Sequence, residues 1–383
     1  MRFSVRFSVR FSACLVLLSV FASVRSEPAA QTQPPEKRAD IARTTATDFS
    51  GVDVNATTED PASAAPGEAL ARTAGGSLLG KPVPLARMKS IDGHMIDLGQ
   101  DYGTRPVYIK FWATWCTPCR QQMPAFEKLY EQFGGKMRFI ALNVGLSDDL
   151  DSIRKMQQIY GLKMPIVVDD GRFAQLFNLK VTPQHVLIGR DARFAYFGHA
   201  DNKELTQAVE RVLAQPLSAK PTVSTVPSER TYQVGDVVRG LTALTTTGAR
   251  VPLAASGPGR LRGVVFFSSW CEWYLEKSRP GTSKACARVR NAVERLATIE
   301  RSVDWLGISG GPWSTAQGLA DYQKTNKVTI PLSLDDSGSL FRAFGIRDIP
   351  TIALIDSRGR LVRVINPNDT NIEAVLHAAR SGA

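Results

Sequence analysis

The chain has 383 residues, 22% of them charged and 43% hydrophobic, with a formal net charge of +11. That length holds two ordinary domains with their own cores, or three. The basic excess is mild, and part of it (Arg2, Arg6, Arg10 and Arg25) sits in residues 1–26. No basic block interleaved with aromatics follows, which argues against nucleic acid as a partner.

The opening MRFSVRFSVRFSACLVLLSVFASVRS has a charged start, an apolar core at 11–24, and small residues suited to cleavage near Val24 and Ser26. This is the plan of a secretory signal peptide spanning 1–26. The apolar core is short of the ~20 residues a membrane helix needs, so a retained anchor is the weaker reading. No stable membrane span is expected after cleavage. Cys14 precedes the apolar core and would be discarded with the signal, leaving Cys116, Cys119, Cys271 and Cys286. An even count suits an exported, oxidising setting. Residues 27–76 are rich in Ala, Thr, Pro and acids and almost lack aromatics, so they read as a disordered tether.

A first domain is expected over 77–215. Its pattern gives strands at 107–112, 137–144, 165–168, 184–188 and 192–197, alternating with helices at about 117–133, 150–160, 173–177 and 203–214. Such alternation implies an α/β fold with a mostly parallel sheet covered on both faces. Residues 216–229 hold three prolines amid Ser, Thr and Val and read as a linker. Residues 230–383 then repeat the first domain's plan: GVVFFSSWCEWY answers VYIKFWATWCTPC, and IPLSLDDSGSLFRAFGIRDIPTIALIDSRGR answers MPIVVDDGRFAQLFNLKVTPQHVLIGRDAR. Two copies of one fold follow from this repeat.

The chemistry concentrates in FWATWCTPCRQQMP, where a strand breaks into CxxC and then a helix. At such a junction the first cysteine sits at the helix N-terminus, where unpaired N–H groups and the helix dipole stabilise a thiolate. Cys116 is therefore the candidate nucleophile and Cys119 the resolving thiol, the pair closing through a mixed-disulfide intermediate. Pro118 fits a first helical turn, which needs no N–H there. A zinc knuckle would need a second pair of Cys or His at matching spacing, and the sequence has none, so neither metal nor cofactor is expected.

At WCTPC, with VTPQHV further on, the first domain resembles the thioredoxin-fold TlpA/ResA-like thiol-disulfide oxidoreductases of the bacterial periplasm. The resemblance covers about residues 80–214, and the string FWATWCxPC is what makes it specific. It implies a cis-proline at Pro183 facing the cysteines, with Thr182 offering backbone hydrogen bonds to an extended substrate, and Trp115 packed beside the sulfurs. Where thioredoxins carry a buried Asp before the first cysteine, this chain has Lys110, and the second domain has Val265. Lys110 either lowers a thiol pKa as a nearby ammonium or snorkels to solvent. Where ResA-like proteins often have an acid after Val-Gly, this chain has Leu146.

The second domain resembles the same fold, but Tyr274 replaces the resolving cysteine and a phenol cannot close a disulfide. Along an unbroken helix Cys271 and Cys286 would lie about 22 Å apart, far beyond the roughly 7 Å between Cα atoms that a disulfide allows. SRPGTS supplies a break. A structural disulfide, a second redox pair and two free thiols all remain open for these residues. Pro350 in DIPT is the second cis-proline candidate. His185 reads as a satisfied surface or edge residue rather than a redox group, and His199 has no partner pattern. Asp169, Asp170, Asp335 and Asp336 read as helix caps.

The chain is thus expected to be two tandem thioredoxin-like domains, each a mixed central sheet flanked by helices. Its expected activity is that of an exported, periplasmic protein thiol-disulfide oxidoreductase working through Cys116 and Cys119. The second domain would be a binding or docking module. Its partners would be protein thiols or disulfides and a redox partner protein. A non-catalytic scaffold with a static disulfide is the alternative. A thiol peroxidase is weaker, because the Pro and Thr that peroxiredoxins place before their cysteine are here Ile109 and Ala113.

Overall fold

A computed structural model describes residues 61–218, 221, 223–224 and 231–381; the signal-peptide reading of 1–26 and the tether reading of 27–60 lie outside the described residues. The last part of the expected tether is instead a helix, α1 (Pro61–Gly76). Its composition misleads because it packs through small residues. Ala71 and Ala74 are buried, and a Cβ on Gly75 would lie 2.0 Å from the Phe197 ring. A lack of bulky side chains, the usual mark of disorder, here permits a close approach to a strand. Glu68 holds the helix there, its Oε2 accepting from the His199 N–H at 2.6 Å and the Ala200 N–H at 2.9 Å.

The first sheet is built on β1 (Val107–Trp112), a run without a breaker that is buried along its whole length. β2 (Arg138–Asn143) and β3 (Ile166–Val168) extend it in parallel on one side; β4 (Gln184–Ile188) and β5 (Phe194–Gly198) add antiparallel on the other. The order is β3-β2-β1-β4-β5. Four helices cover it: α2 (Thr117–Phe133), α3 (Leu150–Tyr160), α4 (Arg172–Leu176) and α5 (Lys203–Ala214). Asp169 bonds the start of α4, accepting from the N–H groups of Phe173 and Ala174 at 3.0 and 2.7 Å, while its burial pushes the carboxyl up to about 6.

The expected linker is not free along its described part. Val223–Ser224 pairs in parallel with Val83–Pro84, and the Ser218 N–H donates to Gly103 O at 3.0 Å. A proline-flanked segment is already extended, so it can lie along an edge using one side of its backbone.

The second sheet repeats the first. Around β6 (Leu261–Phe267) lie parallel β7 (Val303–Ser309) and β8 (Leu332–Leu334), and antiparallel β9 (Thr351–Asp356) and β10 (Leu361–Ile365), in the order β8-β7-β6-β9-β10. After β6 the chain makes only one turn, α6 (Cys271–Tyr274), before restarting as α7 (Pro280–Ile299). Proline at the start of α7 marks the break. α8 (Ala316–Thr325), α9 (Ser339–Ala343) and α10 (Ile372–Ser381) complete the copy. The fold is therefore mixed α/β in two tandem thioredoxin-like copies. Among the described residues no helix is long and apolar enough to cross a membrane.

Candidate active site

β1 delivers WC to the start of α2. Cys116 is the N-cap, at φ −78° and ψ 108°, and its Sγ accepts from the Cys119 N–H at 3.2 Å. The two cysteines form a disulfide with Cα atoms 5.2 Å apart. On reduction that same N–H and the helix N-terminus favour sulfur in its charged form. Pro118 sits in the first turn, where no N–H is missed. Trp115 is buried beside Cys116, its Nε1 donating to Leu146 O at 2.8 Å. The Thr182–Pro183 and Ile349–Pro350 peptide bonds are both cis.

Lys110 does not snorkel. It is 1% exposed, its Nζ donates to Gln122 Oε1 at 3.2 Å, and it lies 5.3 Å from the Phe126 ring centre. Gln122 belongs to α2, so the ammonium is tied to the helix that carries both cysteines. His185 is also not a surface or edge residue: β4 is an interior strand, and His185 is Lys110's cross-strand neighbour. Its Nε2 faces two oxygens, Gln122 Oε1 at 3.0 Å and His199 O at 3.1 Å, so Nε2 carries the proton and Nδ1 accepts from the Tyr108 hydroxyl at 2.8 Å. Burial, then the Lys110 charge, holds the His185 pKa well below the usual imidazole value. His199 is likewise partnered, its Nδ1 donating to Pro183 O at 2.7 Å. A buried polar network thus runs from the CxxC helix to the cis-proline.

The acid missing at Leu146 has a neighbour that the sequence reading overlooked. The Asp148 side chain is buried, and its Oδ2 accepts from the Thr114 N–H and Asn143 Nδ2, both at 2.8 Å. Oδ1 meets Thr114 Oγ1 and, at 3.2 Å, the Arg279 guanidinium. Burial raises its pKa despite these bonds. A register shift of two residues along the loop hid it.

Arg279 belongs to the second domain, and it is one of several groups from that domain set against the dithiol. The Thr117 N–H donates to the Tyr274 hydroxyl at 3.2 Å. The rings of Trp115 and Trp270 lie 5.0 Å apart, and Tyr274 meets Trp115 edge-on at 6.2 Å. Trp313 donates from its backbone N–H to Lys180 O at 2.7 Å and from Nε1 to Thr182 O at 3.2 Å. Thr182 is the residue whose backbone the resemblance offers to an extended substrate. Cys116 is consequently 1% exposed and Cys119 not at all. Cys271 and Cys286 are joined as a disulfide, Cα atoms 6.3 Å apart, bridging α6 and α7 across the break. Tyr274 had a signal in the internal repeat, where it answers Cys119, but a lost cysteine does not reveal what its replacement touches.

A five-stranded sheet of this order, with a CxxC disulfide capping the helix after its central strand, defines the thioredoxin-like class of thiol-disulfide oxidoreductases. Residues 79–197 match the AhpC/TSA family. The chain is 29% identical over 134 residues to the thioredoxin-like protein YneN of Bacillus subtilis (strain 168), covering 34% of this chain and 78% of that protein. It is 30% identical over 118 residues to the thiol-disulfide oxidoreductase ResA of Bacillus thuringiensis (strain Al Hakam), covering 30% of this chain and 66% of ResA. A crystal structure of a putative thiol:disulfide interchange protein DsbE from Chlorobium tepidum aligns over 36% of this chain and 98% of its own, at 22% identity and a TM-score of 0.33. Over residues 79–197 the first domain is thus similar to AhpC/TSA-family proteins and to ResA-like thiol-disulfide oxidoreductases.

Proposed function

We propose that the protein is an exported thiol-disulfide oxidoreductase acting on protein thiols or disulfides. In this reading residues 77–215 carry the chemistry, 216–229 connect, and 230–383 are a docking module. Cys116 is the attacking thiolate and Cys119 resolves the mixed disulfide. The carrying observation is the capped geometry of the pair: Cys116 at the N-terminus of α2, its sulfur accepting from the Cys119 N–H. Export to the periplasm rests on the signal-like opening and on four remaining cysteines. Ile109 and Ala113 are fully buried and apolar, giving a peroxide nothing to bind, so peroxidase chemistry is set aside.

The burial of both sulfurs favours one second reading, a static disulfide in a scaffold protein. Turnover separates the two. Wild-type protein is expected to reduce insulin or oxidise reduced ribonuclease, and Cys116→Ser to lose that activity. No turnover in either direction by the wild type contradicts the proposal.

A further inference from the structure

The two domains meet through equivalent parts. Trp115 and Trp270, each immediately before a disulfide-bonded cysteine, stack on one another. Trp115 Nε1 donates to Leu146 O, and Trp270 Nε1 donates to Pro312 O at 2.7 Å, the same loop position in the other copy. The Ser147 N–H donates to Arg347 O at 2.7 Å, and the Trp313 N–H returns the bond to Lys180 O at 2.7 Å. Lys180 and Arg347 each stand three residues before a cis-proline, and Ser147 and Trp313 each follow the second strand of their sheet by the same step. The interface is therefore a local two-fold that turns the two Trp-Cys motifs toward each other.

All four cysteines among the described residues are at most 5% exposed, and all four lie in one apolar cluster that crosses between the domains. Neither disulfide is open to an outside thiol in this arrangement, and the tryptophans that precede them meet with ring centres 5.0 Å apart. Tyr274, standing where a resolving cysteine would, contacts the N–H of the residue beside Cys116. Cys286 also lines a small cleft of about 30 Å³ with Glu272, Arg290 and Tyr322.

We propose that the Cys271–Cys286 disulfide is the resident redox partner of the Cys116–Cys119 dithiol, so that the chain passes electrons between its own domains. The inference rests on the dithiol-exchange reading of the first domain. With the first pair reduced, the Cys116 thiolate attacks Cys271 Sγ, the Cys271–Cys286 bond breaks, and Cys286 leaves as thiolate. Cys119 then attacks Cys116 Sγ and releases Cys271. Two electrons and two protons pass from the first pair to the second, with no other reactant; the reverse sequence carries them back.

Two reciprocal variants of the full chain test this. In Cys119→Ser, the free Cys116 attacks the intact second disulfide; in Cys286→Ser, the free Cys271 attacks the first. After acid quenching, alkylation and peptide mapping, both converge on one Cys116–Cys271 bond, at a yield independent of protein concentration. Cys286 is alkylated in the first variant and Cys119 in the second. If both variants keep circular dichroism like the wild type and yield only alkylated Cys116 or Cys271 beside an intact disulfide, the relay is overturned. If one misfolds, the other decides by the same bond. The readout needs no external substrate, so insulin turnover measured separately shows whether the first domain's own activity stands or fails apart from it.

Discussion

The two domains share a sheet order and differ beneath the helix that follows the central strand. In the first copy Lys110 and His185 face each other across β1 and β4, with Tyr108 bonded to the histidine. In the second the same register pairs Val265 with Ile352, and Gly263 stands where Tyr108 does. One copy buries a polar network under its dithiol and the other buries aliphatic carbon. Buried polar groups are costly unless fully bonded, so the network is a feature that the first copy maintains and the second does without.

The comparison breaks most easily at the cover. Trp313→Ala removes a buried indole and its Nε1–H bond to Thr182 O, and a truncation of this size costs about 3–5 kcal/mol when the site cannot relax. Much of that loss falls on domain contact. Alkylation of Cys116 in the reduced protein is therefore expected to speed up by at least about tenfold over wild type. An unchanged rate would mean that the second domain does not shield the dithiol.

How much of this was legible in the sequence depends on the range of the interaction. WCTPC and the repeat are readable because they are contiguous in the chain, while the two cis-prolines rest on the family resemblance and on the repeat that carries it to Pro350. Lys110 stays between two readings and His185 reads as a surface or edge residue, since a residue type does not reveal which face of a strand is buried when both are covered. Asp148, Arg279 and Trp313 act across loops or domains, where no period or spacing points. α1 was lost for the opposite reason: its small residues carry no hydrophobic signal because the close approach excludes large ones.

That last point gives the next test. Gly75→Val forces a methyl-bearing carbon against Phe197 and is expected to cost about 1–3 kcal/mol in urea unfolding, as overpacking does. If residues 61–76 were a loose tether, the variant would unfold like wild type.

A pH series sharpens the contrast in buried chemistry. The His185 pKa is lowered in the folded state, so below the ordinary value of about 6.5 only the unfolded chain takes up this proton. The folded protein then loses stability as pH falls from 6.5 toward the depressed folded value. Relative to His185→Gln, wild type is expected to lose up to about 1.4 kcal/mol per pH unit below 6.5, read from paired urea melts at pH 7.5 and 5.5. Parallel curves for the two proteins would place the imidazole in a solvated setting.

A smaller effect concerns Lys110 itself. Its ammonium is fixed to the CxxC helix through Gln122, and a positive charge there favours thiolate. Lys110→Gln is expected to raise the Cys116 thiol pKa, followed by ultraviolet absorbance of the thiolate; an unmoved titration removes the lysine from the sulfur chemistry.

The central claim is that the first domain's disulfide is a working redox couple, although it is buried. Its reduction potential at pH 7, measured against glutathione or dithiothreitol with alkylation of Cys116 and Cys119 as the readout, tests that claim most directly. The account predicts a value between about −120 and −270 mV, the range spanned by oxidants and reductants of this fold. A value below about −300 mV would mark the Cys116–Cys119 bond as structural and contradict it.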